Sequence, residues 1–348
     1  MIGINGLALT QLEQAYIRQL QPAGFVLFAR NVESMAQLRA LTDHLRSLTN
    51  HHPIIAIDQE GGRVVRTAAL GLHLPSASAV AASGDRDGVV HLAEITAWSL
   101  RLLGVNLNFA PVMDICYDPT VPNALPSRCW GDEAQQVISF TGMYSSNLVH
   151  HGVLSCGKHF PGMGRAANDP HFDLPTICQS IDEFLASDML PFMALGNSLP
   201  SLMVAHLMLT SIDDKLPSSL SPHVVRKLLR DRLDYRGVVF TDDLCMGAIM
   251  KRFSLDEAVV LSLQAGCDLP LVCHDAGEYL PAIAERLSHT TLLDAIESEI
   301  RIERLISQLS HPLNDAKLWD DCLQKAESLM RKYPEPRFST ASSPVQRY

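Results

Sequence analysis

Short apolar runs alternate along the chain with longer stretches whose apolar residues recur at helical spacing. IGINGLAL from Ile2 reads as a first strand, after which Leu12, Ala15, Tyr16 and Leu20 fall on one helical face. FVLF from Phe25, PIIAI leading into Asp58, VNLNFAPVMDI from Val105, VLSCGKHF from Val153, SLMVAH ending at His206, GVVFTDD from Gly237 and CDLPLVC from Cys267 read as further strands. Helical patterns lie between them: Met35 through Leu45, Val89 to Leu103 and Glu133 to Val149. ASDMLPFMALG follows with a kink expected at Pro191. SPHVVRKLLRDRL has a Ser-Pro start, and LDEAVVLSLQAG is stopped by Gly266. Helices over AGEYLPAIAERL and LLDAIESEIRIERLISQL complete the pattern. Eight strand–helix units predict one (β/α)8 barrel over residues 1–332 with C-terminal helices. A loose tail is expected over 333–348, where Pro334, Pro336 and Pro344 fall.

With 348 residues the chain suits two average domains or one large barrel, and the absence of a linker or internal repeat favours the barrel. The net charge of -10, with no Lys/Arg cluster, speaks against nucleic acid or an anionic membrane and for a small ligand. MIGINGLALTQLEQ lacks the pattern of a signal peptide, and no apolar run approaches the roughly 20 residues of a membrane helix, so a cytoplasmic protein is expected. Eight cysteines include no C-x-x-C pair, which gives no support to a disulfide framework or a zinc site.

In a barrel of this kind chemistry sits at the carboxyl ends of the strands. Four runs end in polar residues there: Asp58, the pair Lys158 and His159, His206, and the pair Asp242 and Asp243. Neighbours on a strand point oppositely, so one of the two aspartates is expected to face the mouth; both also suit helix caps for LCMGAIM. Asp169 and His171 lie two apart in a Gly- and Pro-rich loop, a spacing that lets a carboxylate orient and charge an imidazole as a general acid/base. The same spacing suits an Asx turn beside a surface histidine. Gly61 and Gly62 permit a sharp turn near a ligand, with Arg63 and Arg66 able to pair with Asp58 or Glu60, and Arg128 lies in the loop after the fourth strand. Lys158 alone also suits a Schiff-base lysine. GMGRAA matches a dinucleotide fingerprint, but Pro170 and Pro175 follow and no helix begins there.

KHFPG followed by D-x-H-x-x-L-P, with DQEGGRV before and FTDDLCM after, resembles the family 3 glycoside hydrolases, and among them the single-domain bacterial β-N-acetylglucosaminidases of peptidoglycan recycling. The resemblance implies retaining hydrolysis of terminal β-linked N-acetylglucosamine from muropeptides carrying 1,6-anhydro-N-acetylmuramic acid. It makes Asp242 the nucleophile and Asp169 with His171 the acid/base dyad on a mobile loop. Asp58, Arg66, Arg128, Lys158, His159 and His206 match residues lining the sugar subsite. It further implies a cytoplasmic monomer acting on a small sugar substrate, with no cofactor and no metal. Met163 replaces the His of KHFPGHG, Trp130 stands where Phe is commoner, and Pro170 replaces the Ser of D-S-H, which stiffens that loop.

Overall fold

The computed structural model describes residues 1–335 apart from 122 and 293. Eight parallel strands form the barrel: β1 (Ile2–Gly3), β2 (Gly24–Leu27), β3 (Ile54–Ile57), β4 (Leu107–Asn108), β5 (Leu154–Phe160), β6 (Ser201–Val204), β7 (Val238–Asp243) and β8 (Leu269–Leu271). They are hydrogen-bonded in chain order. The ring closes where Ile2 bridges to Val272 and the Gly3 N–H donates to the Val272 carbonyl at 2.8 Å. The runs read as continuously apolar because both faces are buried. Val26, Ala56, Leu107, Cys156, Met203 and Phe240 fill the barrel, while Phe25, Leu27, Ile55 and Ile57 point outward against the helices. β4 and the residue before it carry polar residues in a buried setting. Asn106, just before β4, and Asn108 within it replace missing ladder bonds: Asn106 Oδ1 accepts from Ile55 N at 2.7 Å and Asn108 Oδ1 from Gln59 N at 3.0 Å.

Three expectations are corrected. The helix Gln11–Leu20 buries Glu13 and Ile17, and leaves Leu12, Ala15 and Leu20 exposed. Glu13 is drawn inward as half of a capping box, its Oε2 accepting from Thr10 N at 2.8 Å. Pro191 causes no kink, because it stands in the first turn of a separate helix, Leu190–Leu195, where its missing N–H leaves no bond unmade. Nor is the tail loose at its start. Tyr333 is buried with its hydroxyl donating to Asp85 Oδ2 at 2.7 Å, and Glu335 Oε1 accepts from Ser76 N at 2.7 Å. Residues 336–348 of that expected tail lie outside the described residues. Tyr333 follows a helix, Ala316–Lys332, that the strand–helix reading did not resolve and that packs on Arg86–Leu102. Among the described residues no helix is long and apolar enough to cross a membrane.

Candidate active site

The carboxyl ends of the strands open onto one hollow. Asp58, Arg66, Arg128, Lys158, His159, His171 and Asp242 all line it, so seven residues singled out from the sequence share one wall. Asp58 follows β3 directly. Arg66 is brought back to the mouth by a short antiparallel ribbon, Gln59–Gly61 with Val64–Val65. That ribbon turns through Gly61 (φ 100°) and Gly62 (φ 57°), and a Cβ on Gly61 would collide with the Pro75 carbonyl.

One ion network holds the polar side of the hollow. Lys158 Nζ stands 2.5 Å from Asp58 Oδ1 and 2.6 Å from Glu60 Oε1, and Arg128 grips Glu60 through Nε at 2.8 Å and Nη2 at 2.9 Å. Arg66 lies 3.9 Å from Asp58. Burial pushes the Glu60 carboxyl up, yet Arg128 and Lys158 more than offset it and hold it well below the ordinary range. Burial likewise opposes the Lys158 ammonium, and Asp58 with Glu60 raise it overall. A lysine held charged is a poor amine nucleophile, which speaks against the Schiff-base alternative. His159 Nδ1 lies 2.7 Å from Asp114 Oδ2, while Arg128 Nη2 lies 3.3 Å from its Nε2.

The two aspartates at the end of β7 differ. Burial raises the Asp242 carboxyl, but the surrounding His159, His206 and His171 bring it below the usual carboxylate range, so it stays ionised. Asp243 is pushed by burial up to about 6. It also lines the hollow, where one of the pair was expected to face away, because the register with β8 shifts between Phe240 and Asp243. Its Oδ1 accepts from Cys245 N at 3.0 Å and Cys273 N at 3.2 Å.

The loop after β5 supplies the dyad. His171 Nδ1 meets Asp169 Oδ1 at 2.6 Å, and the same oxygen accepts the His171 backbone N–H at 3.0 Å. Asp169 therefore stands behind the ring that lines the hollow, in the relation a general acid/base requires. Met163 also lines the hollow and is buried; its backbone N–H reaches Asp114 Oδ1 at 2.7 Å.

His206 does not line the hollow, contrary to the expectation of a sugar contact. It is fully buried, its Nε2 donating to the Asp243 carbonyl at 2.9 Å and its Nδ1 2.7 Å from Ser219 Oγ, so it supports the end of β7 from behind. Sequence reasoning missed Asp114, and of the pairings it offered for Arg63 and Arg66 with Asp58 or Glu60 the structure holds Arg66 with Asp58. Asp114 follows the apolar pair Val112 and Met113 as Asp58 follows PIIAI, so a similar signal, a charged residue after a buried apolar run, was available for it. Glu60 takes Arg128 and Lys158 in place of Arg63, which donates instead to the Ala124 carbonyl.

Residues 2–307 match the glycosyl hydrolase family 3 N terminal domain. The chain is 34% identical over 312 residues to the beta-hexosaminidase of Alkalilimnicola ehrlichii, covering 88% of this chain and 87% of that one. It superposes on NagZ from Neisseria gonorrhoeae in complex with N-trifluoroacetyl-D-glucosamine with a TM-score of 0.82, at 28% identity and 97% coverage of both. On a fungal multi-domain family 3 beta-N-acetylglucosaminidase the TM-score is 0.91 at 27% identity, with 96% of this chain covered but 42% of that one. The chain belongs to glycoside hydrolase family 3. Within it, this is a NagZ-like glycosidase of the β-hexosaminidase type.

Proposed function

We propose that the chain is a retaining exo-β-N-acetylglucosaminidase that releases terminal N-acetylglucosamine from 1,6-anhydro-N-acetylmuramic acid muropeptides, in cytoplasmic cell-wall recycling and as a monomer. The observation that carries this reading is the meeting of Asp242 and the His171 ring on one hollow beside the Lys158 network. The sugar analogue bound by the gonococcal relative supports the ligand class.

In the first step an Asp242 oxygen bonds to the anomeric carbon as the glycosidic C–O bond breaks, and the proton from His171 goes to the leaving oxygen. Asp169 stabilises the imidazolium before this transfer. In the second step the neutral ring takes a proton from water, whose oxygen displaces Asp242 and restores the β-configuration. Arg66, Arg128, Lys158 and Asp58 orient the hydroxyl and acetamido groups, and the fixed charges cost no reorganisation as positive charge develops on the ring.

Mass spectrometry after quenching with a substrate whose N-acetylglucosamine ring carries a rate-slowing fluorine is expected to find the fluorinated N-acetylglucosaminyl group esterified to Asp242, and proton NMR of the ordinary reaction to find β-product first. An inverted product sinks the covalent route. Turnover of an anhydromuropeptide no faster than of chitobiose, or a sugar 1-phosphate formed when phosphate is added, would replace the substrate or the acceptor proposed.

A further inference from the structure

The segment that leaves β7 continues through Met246 into a short helix, Gly247–Met250. The first N–H groups of a helix have no partner within it. Here two of them bind the acid/base loop: Gly247 N–H donates to the His171 carbonyl and Ala248 N–H to the Pro170 carbonyl, each at 3.1 Å. Just past this helix, Arg252 Nη1 reaches Asp173 Oδ1 at 3.1 Å. The loop thus lies on the chain segment that carries Asp242, and the approach is close. A Cβ on Gly247 would stand 2.7 Å from the His171 oxygen and 2.8 Å from the Phe172 oxygen, distances that real Cβ atoms do not tolerate. Both obstacles are backbone atoms of the loop, so relief requires the loop itself to move.

We infer that Gly247 is a positioning residue for the reaction, the one side-chain-free point that lets the dyad loop dock onto the nucleophile's own segment and set His171 opposite Asp242. It touches no substrate and acts through His171. The inference rests on the dyad reading above. A displaced ring loses the aligned approach on which proton transfer depends, and a misplacement of about 1 Å costs on the order of a hundredfold. Attack by Asp242 on a substrate whose leaving group needs no proton is left intact.

The test compares kcat/KM, which reports the first step, for the 2,4-dinitrophenyl and the methyl β-N-acetylglucosaminides. Gly247→Ala is expected to lower the methyl glycoside's value by at least about tenfold while the dinitrophenyl value stays within about twofold. In a His171→Ala background the added Gly247→Ala is expected to change neither value further. Equal losses on both substrates, no loss on either, or full additivity in the double variant overturns the inference. Ala248→Pro, which deletes one docking donor in a helical first turn that accepts proline, provides the same comparison should Gly247→Ala not fold. If His171→Ala itself is unselective between the two substrates, the dyad reading fails. If His171→Ala is selective and Gly247→Ala is not, the docking role fails and the dyad stands.

Discussion

Asp243 adjoins the proposed nucleophile in sequence, yet its surroundings do the opposite to it. Three imidazoles offset burial around Asp242, whereas burial dominates at Asp243 and keeps its proton until about pH 6. Asp242 raises it, the Cys245 and Cys273 amides and the Cys273 side chain lower it, His274 Nε2 lies 3.8 Å away, and the Arg30 charge also feels it. A folded carboxyl that binds its proton more tightly than the unfolded one stabilises the protein at acid pH. That contribution is lost as pH rises from an ordinary value near 3.8 through about 6. The loss amounts to about 3 kcal/mol at roughly 1.4 kcal/mol per pH unit. Asp243→Asn keeps an oxygen for the two amides and cannot ionise. Its unfolding free energy minus that of the wild type should therefore rise between pH 4 and pH 7 in urea titrations. A difference that stays flat over that window would show the carboxyl to be ionised throughout.

Elements differ in how they are tied to the site. The helix Ala316–Lys332 lies outside the eight strand–helix units and touches the barrel through Trp319, Cys322, Ala326 and Leu329. It carries none of the residues that line the hollow. Truncating a buried tryptophan to alanine costs about 3 to 5 kcal/mol through lost burial and the cavity left behind. Trp319→Ala should lower the denaturant midpoint by an amount of this order while kcat on a chromogenic β-N-acetylglucosaminide stays at the wild-type value at 25 °C. Loss of kcat in protein that remains folded would tie this helix to the mouth of the barrel. The helix is amphipathic with alternating charges, so its pattern is that of any surface helix. The sequence marks its existence more faintly than it marks β3 or β7, whose apolar runs are buried on both faces.

Across the whole molecule, what the sequence discloses is which residues end a strand, and what it conceals is which of them meet. PIIAI, VLSCG and GVVFT announce Asp58, Lys158 and Asp242 because a charged residue closing a doubly buried run stands out. The pairing of Glu60 with Arg128, 68 residues on, depends on the curvature of the ring and on a two-glycine turn, and no local pattern records either. His206 shows the converse, a strand-end residue that the register turns behind the wall. Glu60 is therefore the stronger test of the assembled mouth, since it joins the ribbon after β3 to the loop after β4 and to β5. Its folded carboxyl is held below the ordinary value of 4.5, so its contribution to stability is complete above that pH and lost as pH falls below it. Glu60→Gln leaves Lys158 and Arg128 short of a shared counter-charge in a buried site, a change that costs about 3 to 5 kcal/mol. The destabilisation should be full at pH 7 and shrink steadily as melts are taken from pH 5 towards pH 3, opposite in sign to the trend set by Asp243. A penalty that is the same at every pH would mean that Glu60 serves packing alone, and that the cations of the mouth are held by Asp58 without it.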